Sequence, residues 1–396
     1  MKYWRAQLGI YAILWSLIIG MVTAGYLNLV NWVIDFIWAD YLQHMGNIKI
    51  WYPFVVCVPL GFLIGYLNKK WGNYPLTIEE VLTSVRLKGN VDYHKWWKSF
   101  LLGLLVLGAG GSVGPEASTT VLTSGMINWL GDRLRWSKFM SQQTAVNVWR
   151  DRMTAQKLAS APRFSELFHS KRERILAVSL LVIIGILGAA IIFKMFPEEG
   201  VFGIHHRQIN WQWINVLTAV PAFLVGCAFG WLFVRCENWS ALIVDTKLGK
   251  VWQGGIFGLV LAFSSLLTGD ILFSGEFRIV PFTHEAFGLS ISFLLIIALV
   301  KAIMTNLGFA MGWRGGTIFP AIFASVAVGV ACAMALPGDM HINAVVVLAA
   351  SLTIILEKPI LTIIVLVLLI AIELAPVVVV VCFLTGFLIK KIPQIR

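Results

Sequence analysis

Gly110-Gly111-Ser112-Val113-Gly114-Pro115-Glu116-Ala117-Ser118 is a glycine-rich turn that runs through a proline into an apolar stretch. The second half of the chain repeats the layout at Gly312-Trp313-Arg314-Gly315-Gly316-Thr317-Ile318-Phe319-Pro320-Ala321. Glycine lets backbone approach a ligand closely, and proline suits the first turn of a helix, where its missing N–H is not needed. The first amides of a helix have no partner inside the helix and carry partial positive charge. Two helix starts aimed at one point make an anion site without a cationic side chain. Inside a membrane, irregular backbone of this kind is tolerated only within protein or along a wet cavity.

Composition puts these turns in a membrane. The 396 residues are 58% hydrophobic and only 13% charged, with a mean hydropathy of +0.81. Such a chain is a polytopic membrane protein, with room for roughly ten or more spans or half-spans of about 20 residues or fewer. The first apolar run, Leu8 to Trp38, is too long for a signal core and lacks a small-residue cleavage site, so it reads as a long tilted helix. The net charge of +11 would suggest nucleic acid in a soluble protein. Here it reads as basic loops that set topology and meet lipid headgroups, with no nucleic-acid partner. Lys2 and Arg5 precede the first span, and Lys390, Lys391 and Arg396 follow the last, so both ends read as cytoplasmic in a cell-membrane protein. Tryptophans such as Trp4, Trp51, Trp96 and Trp97 suit the membrane interface. The five cysteines, Cys57, Cys227, Cys236, Cys332 and Cys382, have no metal-ligand spacing and read as small core residues. His205-His206 reads as part of a polar loop, and no metal or cofactor is expected.

Apolar segments fall near 8–38, 51–68, 97–110, 115–130, 175–195, 213–235, 251–268, 286–310, 318–336, 342–356, 359–374 and 375–389. Several are too short to cross alone. Short segments broken by Gly and Pro at related places in two halves point to a midplane site in an inverted-repeat transporter. The layout divides one transmembrane domain, 1–396, into halves 8–132 and 175–391. Between them, 133–174 holds ten Lys or Arg and three Asp or Glu. Each Arg at the centre of a span would cost roughly 2.5–3.5 kcal/mol on insertion scales. The segment is therefore expected to stay at the cytoplasmic surface, with Gln142–Arg152 as an amphipathic piece and Glu166 and Glu173 solvated.

The motifs resemble those of the CLC family of chloride channels and proton/chloride antiporters. The family's second motif is matched by Gly111, Ser112, Val113, Gly114 and Pro115, and its third by Gly315, Gly316, Thr317, Ile318, Phe319 and Pro320. Pro359–Leu366 resembles a later family segment, and Ser274–Pro281 resembles a glycine-rich turn. The resemblance implies an all-α inverted repeat of tilted and broken helices, a homodimer with one pathway per subunit, and a small inorganic anion such as chloride as ligand. The anion-binding residues it implies are Gly111, Ser112, Val113, Gly114, Gly316, Thr317, Ile318 and Phe319.

The departures matter as much. The family's gating glutamate falls on Val113, which can neither occupy an anion site nor carry a proton. Glu116 lies three residues on, where a helix cap or an interfacial role is the first expectation and a proton-linked role the second. Glu373, ahead of Pro376, is a second proton-linked candidate, expected at the far interface. The family's first motif has a poor counterpart in Trp71-Gly72-Asn73-Tyr74-Pro75. The anion-binding serine falls on Gly72, and Asn73 either offers an amide donor or only makes the turn. No residue inherits the family's inner proton glutamate. No tyrosine follows Tyr93 to close an inner site, and no stretch reads as a cytoplasmic nucleotide-binding domain. Lys301 stands alone among apolar residues, Glu357-Lys358 reads as an interfacial pair, and Arg314 stands close to Gly316. No HExxH or Gly-x-Ser-x-Gly constellation suggests an enzyme. Three readings follow: passive permeation of a small monovalent anion uncoupled from protons, a proton-coupled antiporter using atypical carboxylates, and a degenerate, non-transporting scaffold or sensor.

Overall fold

The computed structural model describes residues 2–44, 50–88, 90–142, 147–196, 206–244 and 248–391. His205, Gln143–Val146 and Arg396 lie outside them. Among the described residues the regular secondary structure is helical, and one isolated bridge, Gly114 with Gly316, is the extended pairing. In lipid a helix satisfies its own backbone, which is why apolar runs of this length take that form. The chain is an integral membrane protein of the all-α class. Among the described residues, seven helices are long and apolar enough to cross a membrane.

The helices are α1 (Lys2–His44), α2 (Tyr52–Trp71), α3 (Ile78–Lys88), α4 (Trp96–Gly108), α5 (Glu116–Ser141), α6 (Ala155–Ala159), α7 (Lys171–Met195), α8 (Trp213–Ile243), α9 (Lys250–Ser264), α10 (Ile279–Glu285), α11 (Ile291–Ala310), α12 (Ile318–Ala335), α13 (Met340–Leu356), α14 (Pro359–Val367) and α15 (Ala375–Lys391). At a rise of about 1.5 Å per residue, α1 is roughly twice as long as a hydrocarbon core is thick. Two expectations change. Helix α5 does not stop near 130 but continues through Arg133, Arg135 and Lys138, so the basic segment begins as helix. The 359–374 run is not one helix: α14 ends at Val367, and a 3-10 turn spans Ile372–Leu374.

The chain forms two compact units that interleave along the sequence. The first comprises Met1–Val33, Pro75–Leu101 and Ala117–Glu198. Here a side chain at Gly20 would strike the Gly185 carbonyl, and one at Gly188 the Leu17 carbonyl, so α1 and α7 meet backbone to backbone. Tyr11, Ala12, Ile19, Leu130, Leu134 and Val148 form a core beneath the edge-on pair Trp15–Trp129. The buried Arg133 guanidinium donates to the Val148 carbonyl and lies against the Trp136 ring. Burial with a carbonyl partner explains how the extended α5 accommodates that charge.

The second unit comprises Ile34–Tyr74, Leu102–Glu116 and Glu199–Arg396. Helices α2 and α9 close through Gly61, Gly65, Gly254 and Gly258, each set against backbone of the other helix. Small residues give membrane helices the close approach that packing requires. Helix α12 is buried along nearly its whole length among α8, α11 and α13. Both glycine-rich turns belong to this unit.

Candidate functional site

The two turns are built alike. At the end of α4, Ala109, Gly110 and Gly111 donate to the carbonyls of Leu105, Leu107 and Val106. At the end of α11, Met311, Gly312 and Trp313 donate in the same pattern to Leu307, Phe309 and Gly308. Gly110 and Gly312 hold positive φ, +86° and +92°, the left-handed stop that ends a helix without steric cost only at glycine. Four residues later the chains meet. Gly114 donates to the Gly316 carbonyl at 2.7 Å, and Gly316 returns a bond to the Gly114 carbonyl at 2.7 Å. A reciprocal pair between equivalent residues is what a local two-fold axis produces. Helices α5 and α12 start two residues beyond this bridge.

Side chains break that symmetry. Val113 is buried and fills the space against its counterpart Gly315, where a Cβ would overlap the valine methyl. Glu116, whose counterpart is Ile318, reaches across to α12. Its Oε1 accepts the Phe319 amide at 3.1 Å. Its Oε2 is buried and, among the described residues, has no hydrogen-bond partner. A Cβ added at Gly114 or at Gly316 would land on this carboxylate, so it lies between the two paired glycines. The expected helix cap falls on a different helix: the amide Glu116 accepts from belongs to α12 and not to its own α5. Polarity explains the choice: a carboxylate near a helix start is stabilised by about 0.3–1 kcal/mol, and up to ~2 kcal/mol when partly buried.

The remaining candidates divide. Ser112 is buried, and its Oγ lies 3.2 Å from the Thr305 Oγ1 on α11. Thr305, missed in the sequence, also donates back to the Lys301 carbonyl at 2.8 Å. A hydroxyl one turn beyond the buried Lys301 was the signal available. The Gly111 amide is held by Val106, the Val113 amide by Gly111, and the Gly114 and Gly316 amides by each other. These four amides are therefore engaged within the protein. Among the described residues, the amides of Thr317 and Ile318 have no acceptor.

Gly72 ends α2 at φ +97°. Asn73 accepts from Lys250 Nζ through its side-chain oxygen at 2.8 Å, and from Arg314 Nη1 through its backbone carbonyl at 2.9 Å. It thus ties α9 to the second glycine-rich turn. Glu373 sits elsewhere, in the 3-10 turn before α15, with His206 Nδ1 at 2.9 Å and the Arg207 amide at 3.2 Å. Glu357 and Lys358 are the residues that close α13 and open α14.

Comparison with known proteins agrees with this architecture. The Escherichia coli O1:K1 protein YfeO, whose name gives ion transport as a provisional role, is 26% identical over 245 residues. That match takes in 58% of this chain and 56% of YfeO, so the chain spans little more than half the length of that relative. The H(+)/Cl(-) exchange transporter ClcA of Salmonella arizonae is 22% identical over 338 residues, 80% of this chain and 69% of ClcA. Among solved structures, a CLC-type fluoride/proton antiporter superposes with a TM-score of 0.71 at 16% identity, covering 99% of this chain and 97% of that one. A slow cyanobacterial Cl-/H+ antiporter gives 0.61 at 18% identity, with 98% and 95% coverage. At these identities the likeness is one of fold. The sequence profile described as "Voltage gated chloride channel" matches residues 166–389, more than half of the chain. The chain therefore belongs to the voltage gated chloride channel family.

Proposed function

We propose that the protein moves a small monovalent anion, such as chloride, across the membrane, and that the ionised Glu116 carboxylate takes the anion's place at the junction of the two turns. The observation that carries this reading is the Glu116 side chain, with one oxygen on the Phe319 amide and the other buried without a partner between Gly114 and Gly316. A carboxylate and a halide are both monovalent anions, and both seek N–H donors at a helix start. They compete for the same amides. Protonation makes the carboxyl neutral, weakens its hold on the helix and frees the donors. Glu116 thereby supplies the ionisable group that Val113 lacks. This favours proton-linked movement over an always-open path.

The proton-coupled exchange in the names of ClcA and of the two structural neighbours supports the same reading. The anion ligands in it are the Thr317, Ile318 and Phe319 amides, with Ser112 and the glycines Gly111, Gly114 and Gly316 shaping the passage beside Val113. Its setting is a homodimer in the cell membrane, with both termini cytoplasmic, halves 8–132 and 175–391 in inverted orientation, and 133–174 on the cytoplasmic side. Passive, uncoupled permeation is the second reading, favoured by the neutral Val113 that closes against Gly315.

Purified protein in liposomes separates them. Anion efflux with a reversal potential that shifts under a pH gradient is the expected result. Efflux with no shift selects passive permeation. No efflux under any gradient returns the scaffold reading.

A further inference from the structure

Lys301 lies wholly buried in the middle of α11. Its Nζ is ringed by four successive backbone carbonyls: Asp270 at 2.9 Å, Ile271 at 3.1 Å, Leu272 at 3.1 Å and Phe273 at 2.6 Å. The Phe323 ring of α12 is 5.3 Å away. Among the described residues no carboxylate stands within ion-pair distance of Lys301, because the Asp270 carboxylate is held by Arg278 at 2.8 Å, and Arg278 also holds Glu285 at 2.7 Å. A cage made only of acceptors suits an ammonium, which has three donors and no acceptor. The charge faces carbonyl dipoles and a ring at close range, with the Asp270 carboxylate acting from beyond ion-pair distance.

The cage is joined to the candidate site at two points. The Phe273 amide donates to the Gly110 carbonyl at 3.0 Å, so the caged segment holds the first glycine-rich turn. One turn along α11, Thr305 meets Ser112. Phe273 holds φ +58°, a left-handed conformation unusual for an aromatic residue, which turns its carbonyl toward the ammonium. Rings of backbone carbonyls that replace a hydration shell are the recognised way to hold a potassium-sized ion.

We propose that Lys301 is a built-in monovalent cation. Its ammonium fills a four-carbonyl site that would otherwise suit potassium, and its fixed charge raises the affinity of the neighbouring turns for anions. The second clause rests on the anion-transport reading; the first does not.

The test uses the full chain in detergent with two readouts. Lys301→Ala empties the cage, Lys301→Met keeps the stem without charge, and Lys301→Arg keeps the charge. Thermal melting in gluconate salts reads the cage alone. Potassium or ammonium, but not choline, is expected to raise the melting temperature of Lys301→Ala saturably and to leave wild type and Lys301→Met unmoved. Chloride titration calorimetry reads the charge. Lys301→Met is expected to bind about tenfold more weakly than wild type, since one unit charge acting across a protein interior is worth about that factor. Lys301→Arg is expected to retain most of the affinity, and Lys301→Ala to regain it in potassium chloride but not in choline chloride. A Lys301→Ala protein indifferent to potassium overturns the cage. A Lys301→Ala protein that does not fold even in potassium, where Lys301→Met does, likewise overturns the cage, because potassium then fails to replace the ammonium. Equal chloride affinity in Lys301→Met and wild type, or equal losses in Met and Arg, overturns the role of the charge. Wild type that binds no chloride or fluoride overturns the transport reading, while the potassium response of Lys301→Ala still judges the cage.

Discussion

Glu116 and Phe319 are 203 positions apart in sequence, yet the carboxylate of one lies 3.1 Å from the amide of the other. That bond places a carboxyl group of the protein's own at the start of α12. The carboxylate's second oxygen is buried and, among the described residues, has no hydrogen-bond partner.

Glu116→Gln is expected to remove the pH dependence of anion flux. In wild type, flux rises as pH falls, because the neutral fraction of a carboxyl grows by up to about tenfold per pH unit above its midpoint. The amide cannot ionise, so its flux is set by width alone. Stopped-flow efflux from liposomes across a pH series measures both proteins. A Glu116→Gln profile that still follows wild type would remove Glu116 from the pathway.

Gly316→Ala is expected to drive the Glu116 carboxylate from its place, since the new methyl would occupy it. Overpacking of this kind costs about 1–3 kcal/mol and lowers the melting temperature. Combining Gly316→Ala with Glu116→Ala should recover part of that loss. A double-mutant cycle with no coupling would show that the two residues do not share the space.

Val113→Glu adds a carboxylate where Val113 closes against Gly315. Flux should fall near neutral pH and return in acid, as the added group becomes neutral. An unchanged flux would mean that position 113 does not line the path.

Glu373→Gln is expected to leave the pH dependence of flux intact, because its carboxylate is engaged by His206 and Arg207. Its role is in stability. The bonds to His206 and to the Arg207 amide fasten the turn ahead of α15 to the stretch ahead of α8. His206→Ala should lower the melting temperature by removing one of those bonds. A flux profile that changes in Glu373→Gln would restore its proton-linked candidacy.

Helix positions were legible where apolar runs met glycine or proline. The run read at 318–336 is α12, Ile318–Ala335, and the run at 213–235 is α8, carried on to Ile243. The amphipathic α3 passed unread because Glu79, Glu80 and Arg86 interrupt its apolar positions. The end of α5 did too, because Arg133 reads as a charge in water until the Val148 carbonyl and the Trp136 ring are seen around it.

By itself, the sequence determined the membrane class, the helical fold and the two turns, for these follow from apolar run length and from glycine and proline stereochemistry, which act locally. Only the tertiary structure decided that the two turns pair through Gly114 and Gly316, that Glu116 rather than Val113 brings a carboxylate to their junction, and that Lys301 is enclosed by the carbonyls of Asp270–Phe273. Each of these joins residues far apart in the chain. The direction in which a side chain reaches across a helix start depends on which amide another helix leaves unpaired, and no local pattern of residues records that.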